Sequence, residues 1–236
     1  MRETPQLKHI EQVSDGWIKK YILTYVLPDG SDYIYEAASR KGLEAYRAEL
    51  ARLEARSNTA IAAIDEGADD FGAAAVAAAE QAAGTSGKRT ADAVSVVPIT
   101  RDGNLVLIRE FRYPLNSWCI AFPAGLIDPG EDPAESIDRE LREETGFALR
   151  RDLDEPLELL PQVGYSSAGF TDETIQVAFA QVEKVADAAP EETELIVPFE
   201  VAIDDIPRFL SENTIPISTR AQLILDGFAR HRDRNS

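Results

Sequence analysis

Three glutamates, Glu140, Glu143 and Glu144, stand at i, i+3 and i+4 in the run Asp-Arg-Glu-Leu-Arg-Glu-Glu-Thr-Gly that ends at Gly146. On a helix these positions share one face. Like charges at that spacing repel, so three of them in one patch call for a cation. A hard divalent ion held by carboxylate oxygens meets the need, Mg²⁺ above all when a substrate phosphate completes its shell. The flanking residues predict the helix itself. Asp132 can cap it together with Glu135, Pro133 takes the first helical position, and Gly146 closes the C-terminus. Roughly 13 residues, about 20 Å of helix, lie between those signals. Without further pattern, a charge run of this kind reads as a solvated helix face.

The wider pattern overrides that reading. Gly125, Glu131, Arg139, Glu140, Leu141, Glu143, Glu144, Gly146 and Phe147 meet every fixed position of G-x5-E-x7-R-E-U-x-E-E-x-G-U, where U is aliphatic or bulky and apolar. Seven specified residues at background frequencies of about 5–7% coincide by chance on the order of once in 10⁸ starting points. The stretch resembles the Nudix box. The resemblance implies a divalent-cation-dependent hydrolase, using Mg²⁺ or Mn²⁺, that cleaves nucleoside diphosphates linked to another moiety. It implies Glu140 and Glu144 as metal ligands, with the backbone carbonyl of Ala124 as a further one. Glu143 stands beside them in a catalytic role, Arg139 orients the acidic cluster, and Gly125 lies against the substrate.

Composition bounds the rest. A chain of 236 residues, 44% of them hydrophobic, can bury a full core, either one domain with an appendage or two small ones. The net charge of −18 argues against nucleic acid, which is bound by neutralising phosphates with Lys and Arg. It also means that a phosphorylated substrate needs bridging metals and a few placed arginines. The single Cys119 excludes an internal disulfide or a cysteine cluster and lies in an apolar run, where an inert buried thiol is expected. No signal-peptide pattern opens the chain and no apolar run approaches the ~18 residues of a membrane span, so a cytoplasmic protein without membrane contact is expected. His9 and His231 lie in polar, terminal surroundings without the spacing of a metal site.

In chain order, Trp17–Val26 and Asp32–Ala38 flank a Pro-Asp-Gly turn and read as a hairpin of two strands. The run from Gly16 to Arg40 is similar to the N-terminal segment of the ADP-ribose and ADP-sugar pyrophosphatase branch. That similarity implies that Trp17 and Tyr35 sandwich an adenine, one from each subunit of a homodimer, and that Arg40 contacts substrate. Residues 41–56 read as an amphipathic helix from Leu43, Tyr46, Leu50 and Leu53, and the alanine-rich Phe71–Ala83 as a second one. Together these make an insertion with no catalytic part, or an oligomer contact, and joining Arg40 to Arg89 is expected to leave the core working. Two strands then meet at Arg101-Asp-Gly-Asn104, and Arg112 at the end of the second matches the arginine that the branch uses on the phosphates. Ala121 stands where many relatives carry Glu.

Beyond the box, Leu157–Val163 and Thr174–Val182 read as strands joined by Tyr165–Glu173, which looks like a downstream signature of the same branch. In the acidic stretch that follows, the resemblance places Glu194 as the loop glutamate that orients the attacking water or ligates metal, with Glu191 and Glu192 as competitors. Ser218 reads as the cap of a terminal packing helix reaching His231. The predicted architecture is an α/β Nudix fold, an α/β/α sandwich with a mixed central sheet. Residues 1–40 form an N-terminal antiparallel β segment, 41–88 a helical insertion, and 89–236 the hydrolase domain. The predicted function is hydrolysis of ADP-ribose, or a related nucleoside diphosphate sugar, to AMP and ribose 5-phosphate. The alternatives are a nucleotide-sugar diphosphatase of UDP-glucose or GDP-mannose type and a module that senses ADP-ribose without cleaving it.

Overall fold

The computed structural model describes residues 4–65 and 91–233. The chain divides into two compact units, one of Met1–Thr90 with Tyr165–Glu173, the other of Ala91–Gly164 with Thr174–Ser236.

In the first unit, β1 (Gln6–Gln12), β2 (Lys19–Val26) and β3 (Asp32–Ser39) form an antiparallel sheet in that order. The expected hairpin is β2–β3. Asp29 accepts hydrogen bonds from the Ser31 backbone and hydroxyl, and Gly30 turns the chain at φ 82°. The strand expected from Trp17 begins instead at Lys19; Trp17 lies in the bend before it. Strand β1 gave no sequence signal because Leu7 and Ile10 are three apart, a spacing that an ideal strand sends to opposite faces. A register shift between Leu7 and His9 brings both onto one cluster. Helix α1 (Leu43–Asp65) runs past the predicted 41–56. It packs on the sheet through Leu43, Tyr46 and Leu50, and the Tyr46 ring centroid is 4.6 Å from that of Tyr21. The Tyr21 hydroxyl, buried with its ring, donates to the Lys41 carbonyl at 2.7 Å. The predicted helix at Phe71–Ala83 lies outside the described residues.

The second unit is built on one mixed sheet. Its elements in chain order are β4 (Ala93–Thr100), β5 (Asn104–Arg112), β6 (Ser117–Ala121), β7 (Ala124–Leu126), α2 (Pro133–Glu140), β8 (Phe147–Leu149), β9 (Leu157–Leu159), then, past β10 (Gly164–Tyr165) where the chain passes from this unit to the first, β11 (Thr174–Lys184), β12 (Ile196–Ala202), α3 (Ile206–Glu212) and α4 (Thr219–Asp233). The central order is β11-β4-β5-β12, with β6 on β5, β7 on β4, and β8 and β9 on β11. Strand β11 runs parallel to β4, and the β4–β5 and β5–β12 pairings are antiparallel. Both sheet faces are covered, as the near-continuous apolar run of β4 requires. On one face Val94, Val96, Val106 and Ala178 pack against Ile137 and Leu141. On the other, Val97, Leu105, Leu107 and Ile120 pack against Ile206 of α3 and Ala221 and Leu225 of α4. This is the predicted α/β/α sandwich. The Ser218 hydroxyl accepts from the Ala221 N–H at 3.2 Å and caps α4. Among the described residues, no helix is long and apolar enough to cross a membrane.

Candidate active site

The acidic face is positioned by a helix that starts as the sequence predicts and ends differently. Asp132 is the N-cap of α2, accepting from the Ala134 N–H at 2.9 Å, while Glu135 reaches back to the Asp132 N–H at 3.3 Å and Pro133 opens the helix. After Glu140 the chain widens into a π-helical turn, Leu141–Thr145, closed by Gly146 at φ 72°. The single α-helix expected over this stretch is thereby corrected: Glu143 and Glu144 sit on the wider turn, where the Thr145 hydroxyl donates to the Leu141 carbonyl. The turn carries Glu144 inward to 3% exposure and leaves the Glu143 side chain 43% exposed. Gly146 cannot carry a side chain here, since a Cβ would meet the Ala186 carbonyl oxygen at 2.2 Å.

Arg139 organises the carboxylates. Its Nη1 lies 2.6 Å from Glu140 Oε1 and 3.3 Å from Glu143 Oε2, and Nε and Nη2 hold the two oxygens of Glu131 at 3.1 and 3.0 Å. Nη2 also donates to the Leu126 carbonyl at 3.0 Å. These bonds, with one from Ser136, hold the Glu131 carboxyl at about 2. Glu144 has no such cation. Its Oε2 accepts the Ala124 N–H at 3.0 Å, yet burial first, and the neighbouring Glu140 charge second, push its pKa up to about 9. Burial raises Glu140 as well, against the pull of Arg139. Gly125 makes the arrangement possible, because a Cβ there would stand 1.9 Å from Glu140 Oε1.

The donor set suits a hard divalent ion: two buried carboxylates lie near each other with a single arginine shared among their neighbours. As they stand, the oxygens are turned to Arg139 and the Ala124 N–H, and among the described residues no three acidic, His or Cys groups are gathered around one ion position. Glu194 bears electrostatically on Glu110, Glu140 and Glu144. Its own loop is closed on itself, with the Glu191 N–H donating to Glu194 Oε2 at 3.1 Å and the Glu194 N–H to the Glu191 carbonyl at 2.9 Å. Arg112 is paired with Glu110 at 2.7 Å. Glu110 was missed from the sequence. It stands two residues beyond Ile108 on a strand whose alternation puts both on one face, and a charge at a strand end carries no signal of burial.

Of the aromatic and arginine candidates of the first unit, Tyr35 and Arg40 have local partners. Trp17 is 72% exposed. The Tyr35 hydroxyl donates to the Gly169 carbonyl at 2.6 Å, and Arg40 Nη2 lies 2.5 Å from Glu173 Oε1. The Ala38 N–H adds a bond to the Phe170 carbonyl and Lys41 an ion pair to Asp172, both at 2.9 Å, so the Tyr165–Glu173 segment is fastened to β3 and the residues after it.

The sequence that carries this site has counterparts in known proteins. A family model described as NUDIX domain matches residues 89–219. The chain belongs to the NUDIX domain family. This NUDIX protein is 30% identical over 127 residues to an ADP-ribose pyrophosphatase of Bacillus subtilis (strain 168), and 34% identical over 125 residues to a methanol dehydrogenase activator of Bacillus methanolicus. Each match spans 52% of this chain and 64% of the relative, less than two thirds of either curated protein. A solved structure titled as an ADP compounds hydrolase shares the fold at TM-score 0.64 and 19% identity, over 100% of this chain and 97% of its own.

Proposed function

We propose that this NUDIX protein hydrolyses the pyrophosphate of ADP-ribose, or of a closely related nucleoside diphosphate sugar, with the help of Mg²⁺ or Mn²⁺. The observation that carries the reading is the buried Glu140–Glu144 pair, in which Glu144 is driven to about 9 by burial and by its neighbour. Two carboxylates so placed are poor company as bare anions and good ligands for a shared hard cation. Glu140, Glu144 and the Ala124 carbonyl would hold it, and when bound the ion neutralises charge building on the pyrophosphate and the departing phosphate. Arg139 keeps Glu140 and Glu143 oriented, Glu194 orients the attacking water, and Arg112 takes phosphate oxygens through its planar fork. Gly125 lies against the substrate and leaves room for Glu140. A water oxygen bonds to one phosphorus, the bridging P–O bond breaks, and the departing phosphate keeps its electron pair; ADP-ribose and water give AMP and ribose 5-phosphate.

The substrate class follows the relative named ADP-ribose pyrophosphatase and the resemblance of the N-terminal segment. On that resemblance Trp17 and Tyr35 are assigned to the adenine and Arg40 to a substrate contact, within a homodimer. Two measurements test the reading. ADP-ribose, UDP-glucose and GDP-mannose are each incubated with the protein and Mg²⁺, and phosphate released from the products by a phosphatase is counted. ADP-ribose is expected to be the best of the three, EDTA to abolish turnover and Mg²⁺ to restore it. Full activity in EDTA removes the metal from the reading, preference for UDP-glucose or GDP-mannose removes adenine, and tight ADP-ribose binding without turnover makes the protein a sensor.

A further inference from the structure

Glu110 lies half-buried on the sheet face that carries the acidic helix. Val106, four residues earlier and on the same face, packs against Ile137 and Leu141, Ile108 clusters with Ala121 and Ile196, and Glu110 follows them on the same side. Its cross-strand partners are Cys119 of β6 and Ile196 of β12, both buried. The Glu110 side chain is only 14% exposed, and the other carboxylates bearing on this region, Glu144 and Glu194, add repulsion. A carboxylate here is costly as a packing element, and an apolar side chain would fill the face at lower cost. What Glu110 does have is Arg112, two residues along the same strand, at 2.7 Å.

Arg112 needs such a partner. Its side chain is 47% exposed at the end of β5, and a long arginine left to itself spreads over many rotamers whose entropy is lost again on binding an anion. An ion pair from a strand residue held by partners on both sides fixes the stem and one edge of the guanidinium while the remaining donors stay available. We propose that Glu110 is a positioning residue for phosphate recognition, holding Arg112 ready for the pyrophosphate group. The idea rests on the role given to Arg112 above and concerns this chain's own pair, not the cation site.

The experiment is a double-mutant cycle on the full chain, read as the dissociation constant for inorganic pyrophosphate in Mg²⁺ by calorimetry. The variants are Glu110→Ala, Arg112→Ala and both together, with Glu110→Gln as an isosteric control. Glu110→Ala is expected to weaken pyrophosphate roughly 3- to 10-fold, the scale of one immobilised side chain. The double variant should bind no worse than Arg112→Ala alone, and Glu110→Gln, which keeps the shape of the carboxylate and loses the charge of the ion pair, should weaken pyrophosphate nearly as far as Glu110→Ala. In the ADP-ribose assay the loss in Glu110→Ala should appear in KM, with kcat within a few-fold. Multiplying effects in the cycle would overturn the proposal, because Glu110 would then act without Arg112. So would weakened Mn²⁺ binding in Glu110→Ala, titrated by electron paramagnetic resonance, because Glu110 would then be serving the cation. Failure to cleave ADP-ribose while pyrophosphate binding follows the cycle would sink the substrate reading and leave the positioning role standing.

Discussion

Glu144 is a carboxyl buried to 3% exposure beside the Glu140 charge, a placement that costs the metal-free protein stability. Its folded-state pKa of about 9 lies above the ordinary value of 4.5, so between those values the folded chain binds a proton that the unfolded chain has released. Stability therefore falls as pH rises from about 4.5 to about 9 in the metal-free protein. Glu144→Gln, isosteric with the protonated acid, should remove that slope: its melting temperature in EDTA should equal wild type near pH 5 and exceed it near pH 8. The same change should cut kcat by at least ~10²-fold in Mg²⁺, as for loss of a major charge-stabilising group. A wild-type melting temperature that does not fall relative to the variant would show the carboxyl to be ionised without cost. Gly125→Ala makes the complementary point from the neighbouring residue. A Cβ there would stand 1.9 Å from Glu140 Oε1, so Glu140 must move. Activity should drop about as far as in Glu140→Gln, while far-ultraviolet circular dichroism stays unchanged; near-wild-type kcat would mean that the Glu140 position is not required.

The acidic helix is two elements in one, and its end is set by packing. Gly146 holds φ 72° and lies so close to the Ala186–Asp187 backbone that any Cβ collides. Gly146→Ala should destabilise the protein by about 1–3 kcal/mol in urea unfolding and lower kcat, since the turn it closes carries Glu144. An effect on stability without any on kcat would separate the turn from the chemistry. The start of this helix was legible because capping is local: Asp132, Pro133 and Glu135 satisfy the first turn from within the sequence. The π turn was not, because it answers to the Thr145 hydroxyl and to the backbone packed over Gly146, neither of which periodicity records. The same division runs through the site. Glu140, Glu143, Glu144 and Arg139 were found by fixed spacing on one element, whereas Glu110 becomes a neighbour of Glu144 only through strand pairing. The bonds of Tyr35 to Gly169 and of Arg40 to Glu173 span well over a hundred residues of sequence, which no local pattern records.

At the scale of the molecule, the segment predicted as an insertion proves to contain a part of a core. Leu43, Tyr46 and Leu50 of α1 pack with Ile10, Tyr21, Leu23 and Ala37, Tyr46 is 3% exposed, and Lys41 takes the Tyr21 hydroxyl and an ion pair to Asp172. Removing 41–88 would thus uncover the inner face of a three-stranded sheet, and a sheet with one face stripped has little to hold it. The tolerance expected from sequence rested on long surface loops costing little, an argument that holds for chain without packing partners. Two deletions separate the cases. Joining Arg40 to Arg89 should lower the melting temperature, quench the strand signal of the N-terminal unit and expose dye-binding surface. Removing only 68–87, which leaves α1 whole, should keep the melting temperature and kcat within a few-fold of wild type. Tyr46→Ala gives the magnitude, about 3–5 kcal/mol for a buried ring truncated to a methyl, measured by urea unfolding. A 41–88 deletion that melts with the wild-type protein would show that the sheet stands without α1, and the Tyr21–Tyr46 contact would then count as surface decoration.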